Sequence, residues 1–200
     1  MFSLSHELDD TFEFGDTILK IDMSFDNILR LFEMFNDNTL ENIEKIFLGL
    51  EILVLNYKEV KKIEFERQYE LFKILLLEFL DIDLEKEDKE EKEIMDFEKD
   101  AGLIYASFFH AYKIDLFESQ GKLHWYKFSN LLAHLPDNTA FKEVVSYRTM
   151  KVPNLKEASK EYREHVIKMK RIYKLENEEE NPEQAFEYLA NVFGGGEGNR

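Results

Sequence analysis

The chain has 200 residues, 44% of them hydrophobic, with 18 Phe and 9 Tyr, enough to bury a sizeable core in one domain or one domain with appendages. Its 42 acidic and 26 basic side chains leave a formal charge of -16, which repels nucleic acid and anionic lipid unless basic residues are segregated on one face. There is no Cys, which excludes disulfides, zinc knuckles and thiol catalysis, and no apolar run approaches the length that spans a bilayer.

The start, MFSLSHELDD, has neither a basic n-region nor a long apolar run, so a soluble cytoplasmic protein without a signal peptide is expected. Residues 12–22, FEFGDTILKID, read as two extended arms around Gly15-Asp16, residue types that tolerate the positive φ of a tight hairpin turn. Phe12 and Phe14 fall on one face of the first arm. Leu19 and Ile21 share one face of the second, and Ile18 and Lys20 the other. A lone hairpin is marginal in water, so this one is expected to pack on helices.

Everything after the hairpin reads as helical. Ser24 is positioned to cap FDNILRLFEMF, with Phe25, Ile28, Leu29, Phe32 and Phe35 on one face. After a turn at Asn36-Asp37-Asn38, Asn38 and Glu41 form a capping-box pattern opening a helix to about Leu55, with Ile43, Ile46, Phe47 and Leu50 at helical spacing. A third helix is expected from about Val60 to Leu80, with a stripe of Ile63, Phe65, Tyr69, Phe72, Leu75, Leu76 and Phe79. Its end, LLLEFL, is nearly apolar all round and is expected deep in the core.

Composition changes at 81–100, DIDLEKEDKEEKEIMDFEKD. Alternating charge with few apolar anchors favours a solvated linker, placed at 81–95, over an electrostatic contact surface. Helix resumes from Phe97 to Tyr112, with Ala101, Ile104, Tyr105, Phe108 and Tyr112 on one face. KIDLFESQG is a connector with a short extended piece, followed by GKLHWYKFSNLLAHLP, a helix ended by Pro136. Asp137-Asn138-Thr139 supplies the cap for AFKEVVSYRTMK, which Val152-Pro153 breaks. Asn154 with Glu157 is the pattern opening a long helix to about Leu175. Past an acidic break, Asn181-Pro182 with Gln184 starts a short helix, EQAFEYLANVF, closed by Gly194 and a glycine-rich tail.

The expected fold is therefore mainly α, with a small N-terminal β-hairpin. Residues 1–80 form a hairpin-plus-helices region, 81–95 a charged linker, 96–175 a second helical region, and 176–200 an acidic tether, short helix and tail. In the short C-terminal helix Phe186, Leu189 and Phe193 fall on one side. They either dock a partner or pack on their own domain.

No motif for catalysis stands out. The one glycine cluster is the terminal tail, with no strand before it and no helix after it, so no nucleotide cradle is expected. No Glu stands three residues before a His, the spacing that builds di-iron sites on facing helices. Glu161 and His165 lie one turn apart and read as a surface pair rather than a metal site. In residues 121–136, Trp125, Phe128, Leu132 and Leu135 recur at helical spacing, with Leu131 at the edge, which is a core face. His124 and His134, ten residues apart, fall about 280° on around a helix from one another and are not expected to bind one metal jointly. Neither a cofactor nor an enzymatic activity is expected.

Charge is unevenly spread. Residues 140–174 hold ten Lys or Arg against four Asp or Glu, a net of +6, which leaves the rest of the chain at -22. Such a stretch either binds an acidic partner or nucleic acid, or docks on the protein's own acidic surface or another copy. The flanking acidic segments weaken the phosphate attraction that dominates nucleic-acid binding.

Residues 96–150 contain an aspartate-led FEKDAGLIYASF helix, an IDL connector, LHWYKFSNLLAHLP and an SYRTM segment, followed by YREHVIKMKRIYKL. This pattern resembles the bacteriophage "gene product fifteen" family, encoded in the tail-morphogenesis cluster of phages and prophages of Gram-positive bacteria. The specific likeness covers 96–175, and residues 1–80 match in layout. The resemblance implies a tail-assembly chaperone acting in the host cytoplasm. Its partners would be the tape-measure protein and the tail-tube protein, with no nucleic acid or membrane among them, and a homo-oligomer would be compatible. A structural component of the tail or its initiator complex is the alternative, and an enzyme of unrecognised type the third. The family implies no catalytic or ligand-binding residues.

Overall fold

The computed structural model describes residues 4–86, 94–156 and 158–175. Among them are one two-stranded antiparallel sheet and seven α-helices, so the fold is mainly α, as the sequence predicts. Chain contacts divide it into two units, Met1–Glu90 with Phe97–Glu143, and Glu91–Asp96 with Val144–Arg200.

In the first unit, β1 (Thr11–Phe14) and β2 (Thr17–Lys20) pair in register, Phe12 with Leu19 and Phe14 with Thr17. The two-residue turn puts Gly15 at φ 60, while Asp16 stays at negative φ. A positive φ at the first central position alone is the type II′ arrangement, for which glycine is the favoured residue. Alternation separates the second arm into the two predicted faces, and the structure buries the one with Leu19 and Ile21 and leaves Ile18 59% exposed.

The chain then runs as an extended clamp. On one side Ile21 bridges Val54, and Asp22 N–H donates to Leu53 O. On the other Ser24 bridges His124, Phe25 N–H donates to Leu123 O, and Trp125 N–H to Met23 O. Asn56 extends β2 with a side-chain rung, accepting from Lys20 N–H and donating to Ile18 O. This satisfies edge backbone groups that no third strand covers.

Helix α1 (Phe25–Asn36) buries Phe25, Asn27, Ile28, Leu31 and Met34. The buried face is rotated from the predicted stripe; Phe32 and Phe35 lie on its half-buried flank, the first against Trp125 and the second against Phe72. Ser24 occupies the cap position, but its hydroxyl donates to Asp22 Oδ1 instead of accepting from the helix. Helix α2 (Asn42–Leu53) starts later than predicted. Asp37 Oδ1 takes the Thr39 amide in a local turn, and the capping box forms from Glu41 and Glu44, with Glu41 N–H donating to Glu44 Oε2. It ends at Leu53 because Val54 is extended against Ile21.

The expected helix from Val60 to Leu80 is two pieces. A single 3-10 turn, Val60–Lys62, stops where Ile63 becomes extended, and α3 (Phe65–Leu80) follows. Leu71, Phe72, Leu75, Leu76 and Phe79 of α3 are buried, while Leu77 is half exposed. Asp81 closes α3 in the left-handed conformation, with Ile82 N–H reaching back to Leu76 O. Helices α1, α2 and α3 and the extended clamp enclose one apolar cluster that includes Met23, Leu31, Leu53 and Leu75.

Helix α4 (Ala101–Tyr112) begins four residues later than predicted, after turns at 97–100. The connector 113–123 is a series of turns rather than an extended piece. It leads into α5 (Trp125–Ala133), α6 (Ala140–Thr149) and, in the second unit, α7 (Lys160–Ile172). Helix α7 is capped by the Ser159 hydroxyl, which accepts from Tyr162 N–H, and not at Asn154 as predicted; Asn154 instead turns the chain by accepting from Lys156 N–H.

Candidate functional site

The 121–136 stretch is a packing centre. Phe128, Leu132 and Leu135 are buried, as the spacing predicts, and Trp125 is half-buried at the rim. The Phe128 ring stacks on Phe25 at 4.8 Å and on Phe108 at 5.2 Å, and lies 6.3 Å from Phe97. Trp125 meets Phe32 edge-on at 5.4 Å. Offset and edge-to-face contacts of this kind add to area burial, so one helix locks α1 and α4 together.

Both histidines of the stretch serve the helix they bound. His124 is the N-cap of α5, its Nδ1 accepting from Tyr126 N–H at 3.0 Å and its Nε2 facing Asp10 Oδ1 at 2.9 Å. An Nδ1 that accepts leaves the neutral ring's proton on Nε2, which donates to Asp10. His134 is the C-cap, at the other end of the helix. Glu161 and His165 are not brought to a common ligand position. His165 Nε2 meets the Tyr147 hydroxyl at 3.1 Å, while hydrogen bonds from its own amide and from Ser159 hold the Glu161 carboxyl below the usual range. Among the described residues no group of three His, Asp or Glu side chains could hold a metal ion. Phe186, Leu189 and Phe193 lie outside the described residues.

The basic stretch divides between inside and outside. Lys170 Nζ donates to three carbonyls at the end of α6, those of Tyr147, Arg148 and Met150, at 3.0, 2.9 and 2.8 Å. An ammonium among carbonyls at a helix C-terminus answers both the unpaired acceptors and the helix dipole. Arg148 is 7% exposed and donates to Tyr173 O at 2.6 Å and to Ile94 O at 3.2 Å. These two cations hold the second unit together. Lys151, Lys156, Lys160, Lys168 and Arg171 are exposed.

The surface feature that sequence periodicity missed is on α4. From Ala101 to Tyr112 there is no Asp, Glu, Lys or Arg, in a chain that is 34% charged. The helix nevertheless buries only Ile104, Ser107 and Phe108, and it exposes Gly102, Ala106 and Phe109. A helix apolar all round normally has neighbours on every side. Phe109 is 49% exposed and Phe117, from the following turn, 71%. Tyr105 sits between them, with ring centroids 6.4 Å from Phe109 and 5.3 Å from Phe117. Asp115 ties the Tyr105 ring to the turn that carries Phe117, accepting from the Tyr105 hydroxyl at 3.1 Å and from Phe117 N–H at 2.9 Å. That hydrogen bond, with the Glu118 carboxylate nearby, pushes the Tyr105 hydroxyl pKa up. The signal was available in the sequence: a helix without Asp, Glu, Lys or Arg whose non-core side is Gly, Ala, Phe and a single His, His110.

Comparison with known proteins fits this picture of a helical protein with a packed motif. The family described as Bacteriophage Gp15 protein matches residues 4–175, and the chain belongs to that family. It is accordingly a phage protein. No curated protein and no solved structure matches it. No helix among the described residues is long and apolar enough to cross a membrane.

Proposed function

We propose that this phage protein is a tail-assembly chaperone that binds the tape-measure protein in the host cytoplasm, also contacts the tail-tube protein, and catalyses no reaction. The observation that carries the reading is the α4 surface, where Phe109 of an uncharged helix and Phe117 of the turn after it stand exposed side by side with Tyr105. Exposed apolar patches rimmed by polar residues are typical of protein-interaction sites. A protein that shields long apolar helices needs such a surface, together with enough net charge to keep the complex in solution; the chain's formal charge is -16.

The test is co-expression with the tape-measure protein encoded by the same phage. The tape measure is expected to move to the soluble fraction and to co-purify with this chain. A tape measure that stays insoluble and unbound overturns the reading. Mass spectrometry of purified virions separates the chaperone from a structural tail component, since a chaperone is expected to be absent from mature tails and a tail component to be present in fixed copy number.

A further inference from the structure

We infer that the α4 face formed by Tyr105, Ala106, Phe109 and Phe117 is the docking surface for a basic amphipathic helix of a partner protein. The inference rests on the binding role proposed above and names the chemistry of the partner at that surface.

Three observations lead there. First, part of the face is built in place: Asp115 accepts from the Tyr105 hydroxyl and from the Phe117 amide, which fixes the Tyr105 ring and the turn that carries Phe117. A ring already held in place, as Tyr105 is, loses little side-chain entropy on binding. Second, its relief suits a helix. Gly102 and Ala106 lie one turn apart beside Phe109, and a Cβ added at Gly102 would meet nothing within 4 Å, so a partner's ridge can approach the helix backbone closely beside Phe109. Apolar residues one turn apart along a partner helix would meet that relief in turn.

Third, charge selects the occupant. Residues 1–143 hold 32 acidic and 16 basic side chains, a formal charge of -16, and residues 144–200 sum to zero. Around the face itself, Asp115 and Glu118 of the connector are balanced by exposed Lys113 and Lys122, so the attraction comes from the excess acid of residues 1–143 as a whole. An apolar face on so acidic a region attracts a helix flanked by Lys or Arg and repels an acidic one. The same charge opposes two copies of this face meeting each other, and it opposes an anionic lipid surface.

The test uses the full chain and two synthetic amphipathic helices of about 18 residues, long enough to run past the end of α4. Both carry the same Leu and Ala stripe; one has Lys on its polar face, the other Glu. Fluorescence anisotropy is expected to show the Lys peptide binding at least about tenfold more tightly than the Glu peptide, with the difference shrinking at high salt. Phe117→Ser, at a side chain mostly in water, is expected to weaken the Lys peptide by about tenfold without altering the far-ultraviolet circular dichroism, while Leu55→Ser, another exposed apolar position, leaves it unchanged. Equal affinity for the two peptides, or Lys-peptide binding indifferent to Phe117→Ser, overturns the inference. Self-association of the wild type that Phe117→Ser abolishes would put a second copy on the face and overturn it equally. A tape measure kept soluble by a chain that binds neither peptide would overturn this surface and leave the chaperone role standing.

Discussion

Gly49 of α2 lies so close to Phe72 of α3 that a Cβ at Gly49 would sit 2.5 Å from both Cε2 and Cζ of the ring, with Met34 Cε at 3.3 Å on the other side. The contact explains a glycine in mid-helix, where it costs roughly 0.5–1 kcal/mol relative to alanine. Both it and the Phe72 ring are buried in the first unit's core, where close packing makes any shift of the ring costly.

Gly49→Ala is therefore expected to destabilise the protein by about 1–3 kcal/mol, in spite of alanine's better helix propensity. Urea unfolding measures it. A variant as stable as the wild type would show that Phe72 can move aside. Gly49→Ala combined with Phe72→Leu should recover part of the loss, since the ring is what the new methyl strikes.

Lys170→Met keeps most of the aliphatic length and removes the ammonium from three carbonyls. The expected cost is about 2–3 kcal/mol, because hydrogen bonds to a charged donor exceed ordinary ones and the carbonyls of α6 lose their cap. Hydrogen exchange should show faster exchange at the end of α6 and in α7. Exchange rates equal to the wild type would mean that water replaces the ammonium without loss.

His124→Ala removes the acceptor that caps α5 and the contact with Asp10, at an expected cost of about 1–2 kcal/mol. His124→Asn should recover part of this, since asparagine is a good N-cap and can still accept from Tyr126 N–H. Equal losses for the two variants would point to ring packing and not to the cap.

Asp37 Oδ1 accepts from the Thr39 hydroxyl and amide, and these bonds, the hydroxyl first, hold its carboxyl below the usual range. A folded-state pKa below the unfolded one contributes stability above the unfolded value, and that contribution is lost as pH falls through the folded value. Thr39→Val removes the hydroxyl and should raise the Asp37 titration midpoint, read from the carboxyl carbon shift against pH. A midpoint unmoved by the substitution would contradict the assignment.

The element types were legible in the sequence because they depend on local patterns. Gly15-Asp16 between two alternating arms specified the hairpin, and the spacing of Phe128, Leu132 and Leu135 specified the core face of α5. Boundaries were less legible where several side chains could cap. Glu41 rather than Asn38, and Ser159 rather than Asn154, ended up at the cap positions because Asp37 and Asn154 were engaged in turns of their own. Helix faces were misjudged where the periodic stripe was wider than the contact available. Ile43 is 53% exposed, and Phe65 and Tyr69 are 37% and 39% exposed, because helical spacing tells which residues align and not which neighbour reaches them.

Composition and periodicity by themselves determined that this would be an acidic, mainly helical protein with Trp125 and Phe128 in a packing motif. They determined this because burial of apolar stripes is set by spacing along the chain. Only the tertiary structure decided where the remaining residues were used. It placed residues 21–25 between 53–54 and 123–125, turned Arg148 and Lys170 of the basic stretch inward onto carbonyls, and left Phe109 of an uncharged helix and Phe117 of the next turn in water. Those outcomes depend on partners far apart in the chain, and no local pattern records which distant backbone or ring will be within reach.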